Sequence, residues 1–157
     1  MNKKSLGISL TSVMLGASLL TMVAHAAGPK PEDVVDYRKS VFNIIGWNFK
    51  PMGAMVKGEI PFDATAVARH AQYVDLMSKA ALESFAKGSG PDKVEDTDAK
   101  ADIWTNWDKF EIAMKNFQQE SATLAEVAKG GDEAAIKAQF GKTAETCKAC
   151  HKEFRKD

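Results

Sequence analysis

The amino-acid sequence predicts an all-α protein folded as an antiparallel four-helix bundle. Three observations carry this expectation. Apolar residues return at alternating steps of three and four in four successive runs, the spacing that lines one face of a helix. Short segments carrying Gly, Pro, Ser and Asp separate the runs, and such segments end helices and turn the chain. No run shows the two-residue alternation of a strand. Four amphipathic helices joined by short turns pack as antiparallel neighbours.

Ahead of the bundle, residues 1–26 read as a secretory signal peptide. Lys3 and Lys4 form the charged start, Leu6 to Val23 is an apolar and small-residue run, and Ala24-His25-Ala26 is an A-x-A cleavage site. A membrane anchor is the alternative, but Gly7, Gly16 and several Ser and Thr dilute the run. No other stretch approaches the roughly 20 apolar residues that span a bilayer, so no membrane contact is expected after cleavage. The mature chain, residues 27–157, suits a single domain. The whole chain has 21 basic and 21 acidic residues. Loss of Lys3 and Lys4 leaves a net charge of about −2, and no basic stripe with interleaved aromatics suggests nucleic acid.

The first helix is expected from about Pro31 to Lys57. Pro31 suits the first turn, and Glu32 and Asp33 favour the positive end of the helix dipole. Its inward stripe is Val34, Arg38, Val41, Phe42, Ile45, Phe49, Met52 and Val56, with Arg38 the one charge. Pro51 removes a backbone bond and should bend the helix, and Gly58 stops it. After the Glu59-Ile60-Pro61-Phe62 crossover, Asp63 can cap a second helix over about Ala64 to Lys87. Val67, Ala71, Val74, Met77 or Ser78, Ala81 and Phe85 form its stripe. Gly88 to Thr97 reads as the least ordered stretch. Asp98 or Asp96 can start the third helix, with Trp104, Trp107, Phe110, Met114, Phe117, Ser121, Leu124 and Ala128 inward. Gly130-Gly131 ends it. Asp132 caps the fourth, whose stripe is Ile136, Phe140, Thr143, Cys147, Cys150 and Phe154.

That last stripe carries Cys147-Lys148-Ala149-Cys150-His151, the C-x-x-C-H attachment sequence of a c-type haem. On a helix, residues three and four apart are neighbours, so two thiols and an imidazole project together. The thiols can add across two haem vinyl groups while the imidazole reaches the iron. The sequence therefore predicts one covalent haem c inside the bundle. A redox dithiol, half of a zinc site and a chance match are the other readings. Zinc needs about four N or S ligands, and the mature chain offers only Cys147, Cys150, His151 and His70. Export fits haem attachment, which takes place outside the cytoplasm, and the expected location is the periplasm.

The pattern resembles cytochrome c prime, the class II cytochrome c family, across essentially the whole mature chain. The resemblance rests on Lys30-Pro31-Glu32-Asp33, Tyr37-Arg38-Lys39-Ser40, Val56-Lys57-Gly58, Pro61-Phe62-Asp63-Ala64, Ile103-Trp104, and the haem sequence near the C-terminus followed by Arg155. It implies that His151 is the proximal iron ligand and that Cys147 and Cys150 are the thioether anchors. Arg38 resembles the arginine that meets a haem propionate, and a cation among apolar neighbours needs such a partner. The other reading of Arg38 is a side chain snorkelling to the surface. Lys39 stands where the family commonly has Gln, and either approaches a propionate or is solvated. Arg155 matches the basic residue near the proximal imidazole, and Thr97 and Asp98 stand where family members touch the haem edge.

Low-spin relatives place a methionine four residues beyond that arginine, and here the position is Phe42. Phenylalanine cannot bind iron. Five-coordinate iron is therefore expected, with Phe42, aided by Val41, Ile45 and Phe85, over the vacant face. An apolar face without a donor favours nitric oxide and carbon monoxide over stable oxygen binding. The expected function is gas binding, single-electron transfer with redox partner proteins, or both. A dedicated low-spin electron carrier is the alternative. An enzyme is not expected, because His70 is the one spare imidazole of the mature chain. The resemblance also implies a homodimer, with Ile44, Trp47 and Leu76 as contact residues.

Overall fold

The backbone turns where local chemistry tells it to. In the computed structural model, which describes residues 28–156, α1 runs from Pro31 to Val56, with Pro31 in its first turn and Pro51 inside it. Gly58, at φ 76°, supplies the left-handed turn after it. The Asp63 carboxylate accepts from the Ala66 amide at 3.0 Å and caps α2, Ala64–Glu83. The Asp132 carboxylate accepts from the Ala135 amide at 2.7 Å and caps α5, Glu133–Phe154. The expected signal peptide, residues 1–26, lies outside the described residues.

Between α2 and α5 the structure departs from the expected single helix. A one-turn helix α3, Asp102–Thr105, precedes α4, Trp107–Lys129, and Asn106 breaks them apart at φ −124° and ψ 47°. Thr97 and Asp98 do not start a helix. The backbone there bonds to the chain's end instead. The Lys100 amide donates to the Phe154 carbonyl at 2.9 Å, and the Lys156 amide donates to the Asp98 carbonyl at 2.7 Å. Residues 98–100 thereby satisfy their polar groups without a helix. The second helix also stops four residues short of Lys87, where the Ser84 hydroxyl donates to the Ala81 carbonyl, and Phe85 turns inward, buried.

The four long helices pack in sequence, α1 on α2, α2 on α4 and α4 on α5, whereas α1 and α5 meet little. The core is built from Met52, Val67, Ala71, Val74, Phe110, Met114, Leu124 and Ile136. On α1 the buried face takes Val35 rather than Val34 at its start, and Met55 rather than Val56 at its end. A straight helix falls about 20° behind a bundle's seven-residue repeat in each heptad. The buried face therefore walks around α1 as it runs.

Phe110, 1% exposed, sits where the rings of Phe85, Trp107 and Phe154 converge. Phe110→Ala should lose about 3–5 kcal/mol through lost burial and a residual cavity. Ile112→Ala, at a position 60% exposed, should stay within about 0.5 kcal/mol. Urea denaturation checks both, and equal midpoints would contradict this core.

Candidate functional site

The seam between α1 and α5 sets the geometry of the site. Phe49 and Phe140 stack across it, with centroids 4.4 Å apart and planes at 18°. The two helices run antiparallel, so equal steps away from that pair stay level. Seven residues back along α1 is Phe42, and seven residues on along α5 is Cys147, each about 10 Å of rise from the stack. Four residues further, Arg38 is level with His151. The C-x-x-C-H segment thus faces the N-terminal half of α1.

Cys147 and Cys150 are free, half-buried and packed against the core. Burial raises the Cys147 thiol above its ordinary value and pushes Cys150 up to about 11, with Cys147 and Glu153 adding to the effect. The expectation that the segment lies straight on the inward face is corrected at His151, which is exposed. Successive helical residues are about 100° apart, so turning Cys150 toward the core swings His151 to the flank. There it lines an open groove of about 600 Å³ with Ala144, Cys147, Lys148, Lys152, Arg155 and Lys156. Desolvation, then the charge of Arg155, lowers the imidazole below its ordinary pKa. The neutral ring this favours is the form that binds a metal.

Arg38 occupies a cage at the same end. It is 5% exposed, which overturns the surface-snorkelling reading. Its Nε donates to the Ser84 carbonyl at 3.1 Å, Nη1 to Thr97 Oγ1 at 3.2 Å, and Nη2 to both the carbonyl and the hydroxyl of Ser89. The guanidinium carbon lies 4.3 Å from the Phe85 ring centre and 5.4 Å from that of Trp104. Every polar partner is neutral. Desolvation accordingly lowers Arg38 to about 10.

The other expected residues divide into pairs. Phe42, half-buried, meets Phe85 edge-on at 6.0 Å. Phe85 meets Phe110 at 4.6 Å and Phe110 meets Phe154 at 5.3 Å, so rings connect α1 to α5. Lys39 pairs with Asp96 at 2.6 Å. Asp98 is exposed and 3.7 Å from Arg155. Ser84, Ser89 and Trp104 were not singled out as site residues from the sequence. Two of the cage's acceptors are backbone carbonyls, which leave no trace in residue type. Trp104 falls on a helical apolar stripe, where residue type does not distinguish a cage wall from core.

These groups fit a haem. Two half-buried thiols and a flanking imidazole lie within five residues of α5, aromatic rings line the neighbouring interior, and a buried cation lacks a counter-charge. Among the described residues no set of three or more His, Cys, Asp or Glu side chains converges to hold a bare metal ion.

Comparison with known proteins agrees with that fit. A family model described as Cytochrome C′ matches residues 33–155. The cytochrome c′ of Halomonas halodenitrificans is 40% identical over 129 residues, covering 80% of this chain and 98% of that protein. The solved cytochrome c prime of Shewanella frigidimarina has a TM-score of 0.78 at 40% identity, covering 83% of this chain and 100% of that one. A nitric oxide complex of a cytochrome c prime variant from Alcaligenes xylosoxidans has a TM-score of 0.75 at 31% identity, covering 83% and 99%.

Arg38→Ala should leave the Ser84 and Ser89 carbonyls unpaired and cost about 2–4 kcal/mol, with faster amide exchange over residues 84–97. Arg38→Lys should recover only part of this, because an ammonium cannot reproduce the guanidinium fork. Denaturation and hydrogen exchange together test it. Unchanged exchange in that segment would mean the cage is not held by Arg38.

Proposed function

Because the chain belongs to the cytochrome c′ family, a family of haem c proteins, we propose that it binds neutral diatomic gases and exchanges single electrons at one covalent haem c. Cys147 and Cys150 are the thioether anchors and His151 is the iron's single protein ligand. When bound, the haem supplies an iron centre that takes a gas ligand and changes charge by one electron. The chain supplies the surroundings. Arg38, a buried cation with only neutral partners, offers a haem propionate the counter-charge it lacks. Lys39, Thr97 and Asp98 stand around that end. Arg155 lies beside His151 and draws electron density from the imidazole.

The reading is supported by the Phe49–Phe140 stack, from which the helical rise sets Phe42 level with Cys147 across the α1–α5 seam. Phe42 has no donor atom, and its neighbours Val41, Ile45 and Phe85 are buried and apolar. Such a face suits nitric oxide and carbon monoxide, and it lacks the hydrogen-bond donor that stabilises bound oxygen. The nitric oxide complex of the Alcaligenes relative supports the same ligand class. A low-spin carrier would need a sulfur or nitrogen donor at this level. Met52 is fully buried in the core, ten residues beyond Phe42, or about 15 Å along the helix. His70 Nδ1 is hydrogen-bonded to Asn48 Oδ1 at 2.9 Å.

The leader-like residues 1–26 support a periplasmic location. Among the described residues no helix is long and apolar enough to cross a membrane. Ile44, Trp47 and Leu76, exposed on α1 and α2, form the contact face of a proposed homodimer, as an isologous interface would.

Absorption and spin-state spectra of the oxidised and reduced protein, with and without nitric oxide, test the proposal. Five-coordinate, high-spin iron that responds to nitric oxide is expected. Phe42→Met should convert it toward six-coordinate, low-spin iron, and an unchanged spectrum would remove Phe42 from the iron's open side.

A further inference from the structure

We propose that diatomic gases reach the buried side of the site through an apolar cleft at the C-terminal end of α2, with Phe85 as its inner wall. The inference rests on the gas-binding reading above and adds the route. The cleft, about 510 Å³, is lined by Leu82, Phe85, Ala86, Trp104 and Trp107, with the exposed Glu83 and Lys87 completing it. The Trp104 indole N–H donates to the Ala86 carbonyl at 3.3 Å, which ties the two sides together and uses up the indole's donor. What remains inside is largely hydrocarbon and ring surface, where a neutral diatomic displaces loosely held water at little cost.

Phe85 makes this cleft more than a dent in the surface. Its ring lines the cleft, yet only 6% of the residue is exposed, and it meets Phe42 edge-on at 6.0 Å. One aromatic ring therefore separates the cleft from the residue proposed to cover the iron. A ring pivot, a rotamer hop of the kind that close-packed side chains still make, is enough to connect them. The groove beside His151 offers no comparable path. It is bordered by Lys148, Lys152, Arg155 and Lys156 and lies on the imidazole's flank, whereas the vacant side faces α1. Within the α1–α5 seam, the Phe49–Phe140 stack fills the end away from Arg38. Gly53 lies so close beneath it that a Cβ there would touch the Phe140 ring at 3.4 Å.

A route has a kinetic signature that a binding contact does not. Its residues change association and dissociation by the same factor and leave the equilibrium constant alone, because they touch the barrier and not the end states. In the haem-loaded, reduced protein, Ala86→Trp should fill the cleft and slow carbon monoxide association about fivefold or more, with dissociation slowed equally. Trp107→Ala should speed both. The absorption spectra should match the parent in each variant. Stopped-flow mixing gives association, and displacement by nitric oxide gives dissociation. Xenon under pressure provides a readout independent of the iron: the amides of Leu82 and Ala86 and the indole N–H signals of Trp104 and Trp107 should shift. Gas binding at parental rates in both variants overturns the route alone. A change in affinity with matched spectra also overturns it, as does xenon that leaves those signals in place. Haem-loaded protein that takes up no gas overturns the functional reading, and the route with it.

Discussion

The constraint on which the site depends is the antiparallel register between the first and last bundle helices. The stack of Phe49 on Phe140 fixes their relative height. From that one contact the rise of two regular helices sets Phe42 against Cys147 and Arg38 against His151. A shift of one residue in either helix would turn a different side chain toward the C-x-x-C-H segment, because each step rotates the face by about 100°. The other three seams of the bundle carry most of the packing, and α1 meets α5 chiefly around this stack.

The second element is a charge kept out of water. Burying a guanidinium is costly unless it is paired or fully hydrogen-bonded, and Arg38 is hydrogen-bonded to neutral oxygens alone. Its cage also does structural work. Ser84, Ser89 and Thr97 lie in the segment that follows α2, so one side chain of α1 gathers a stretch with no helix of its own. The same segment is tied to the chain's end through Lys100, Asp98 and Lys156. The end of α5, which carries His151, is thereby fixed to the structure that surrounds Arg38.

Local features were legible in the sequence, and long-range ones were not. The caps at Asp63 and Asp132 and the stop at Gly58 are decided within a few residues, so their residue types announce them. Arg38 could be read as a buried cation because it interrupts an apolar stripe. Its cage could not, since carbonyl acceptors from residues 84 and 89 have no signature in side-chain identity. The broken third helix was hidden for a related reason. Residues 98–100 leave the helical path to bond with residues 154–156, a pairing that local periodicity cannot express. The outward turn of His151 was within reach: neighbours on a helix point about 100° apart, so a Cys150 turned to the core sets His151 on the flank.

Register, cage and haem segment together underlie the proposed pocket, with the apolar Phe42 on one side and the buried charge of Arg38 at its end. Hyperfine-shifted NMR of the ferric, haem-loaded protein tests this arrangement most directly, because the shift and broadening of a proton fall steeply with its distance from the iron. The ring protons of Phe42 should be among the most strongly affected outside the haem and His151, with those of Phe49 and Phe140 affected far less. Ring signals of Phe49 or Phe140 perturbed more than those of Phe42 would place the iron at another level of the seam and contradict the account.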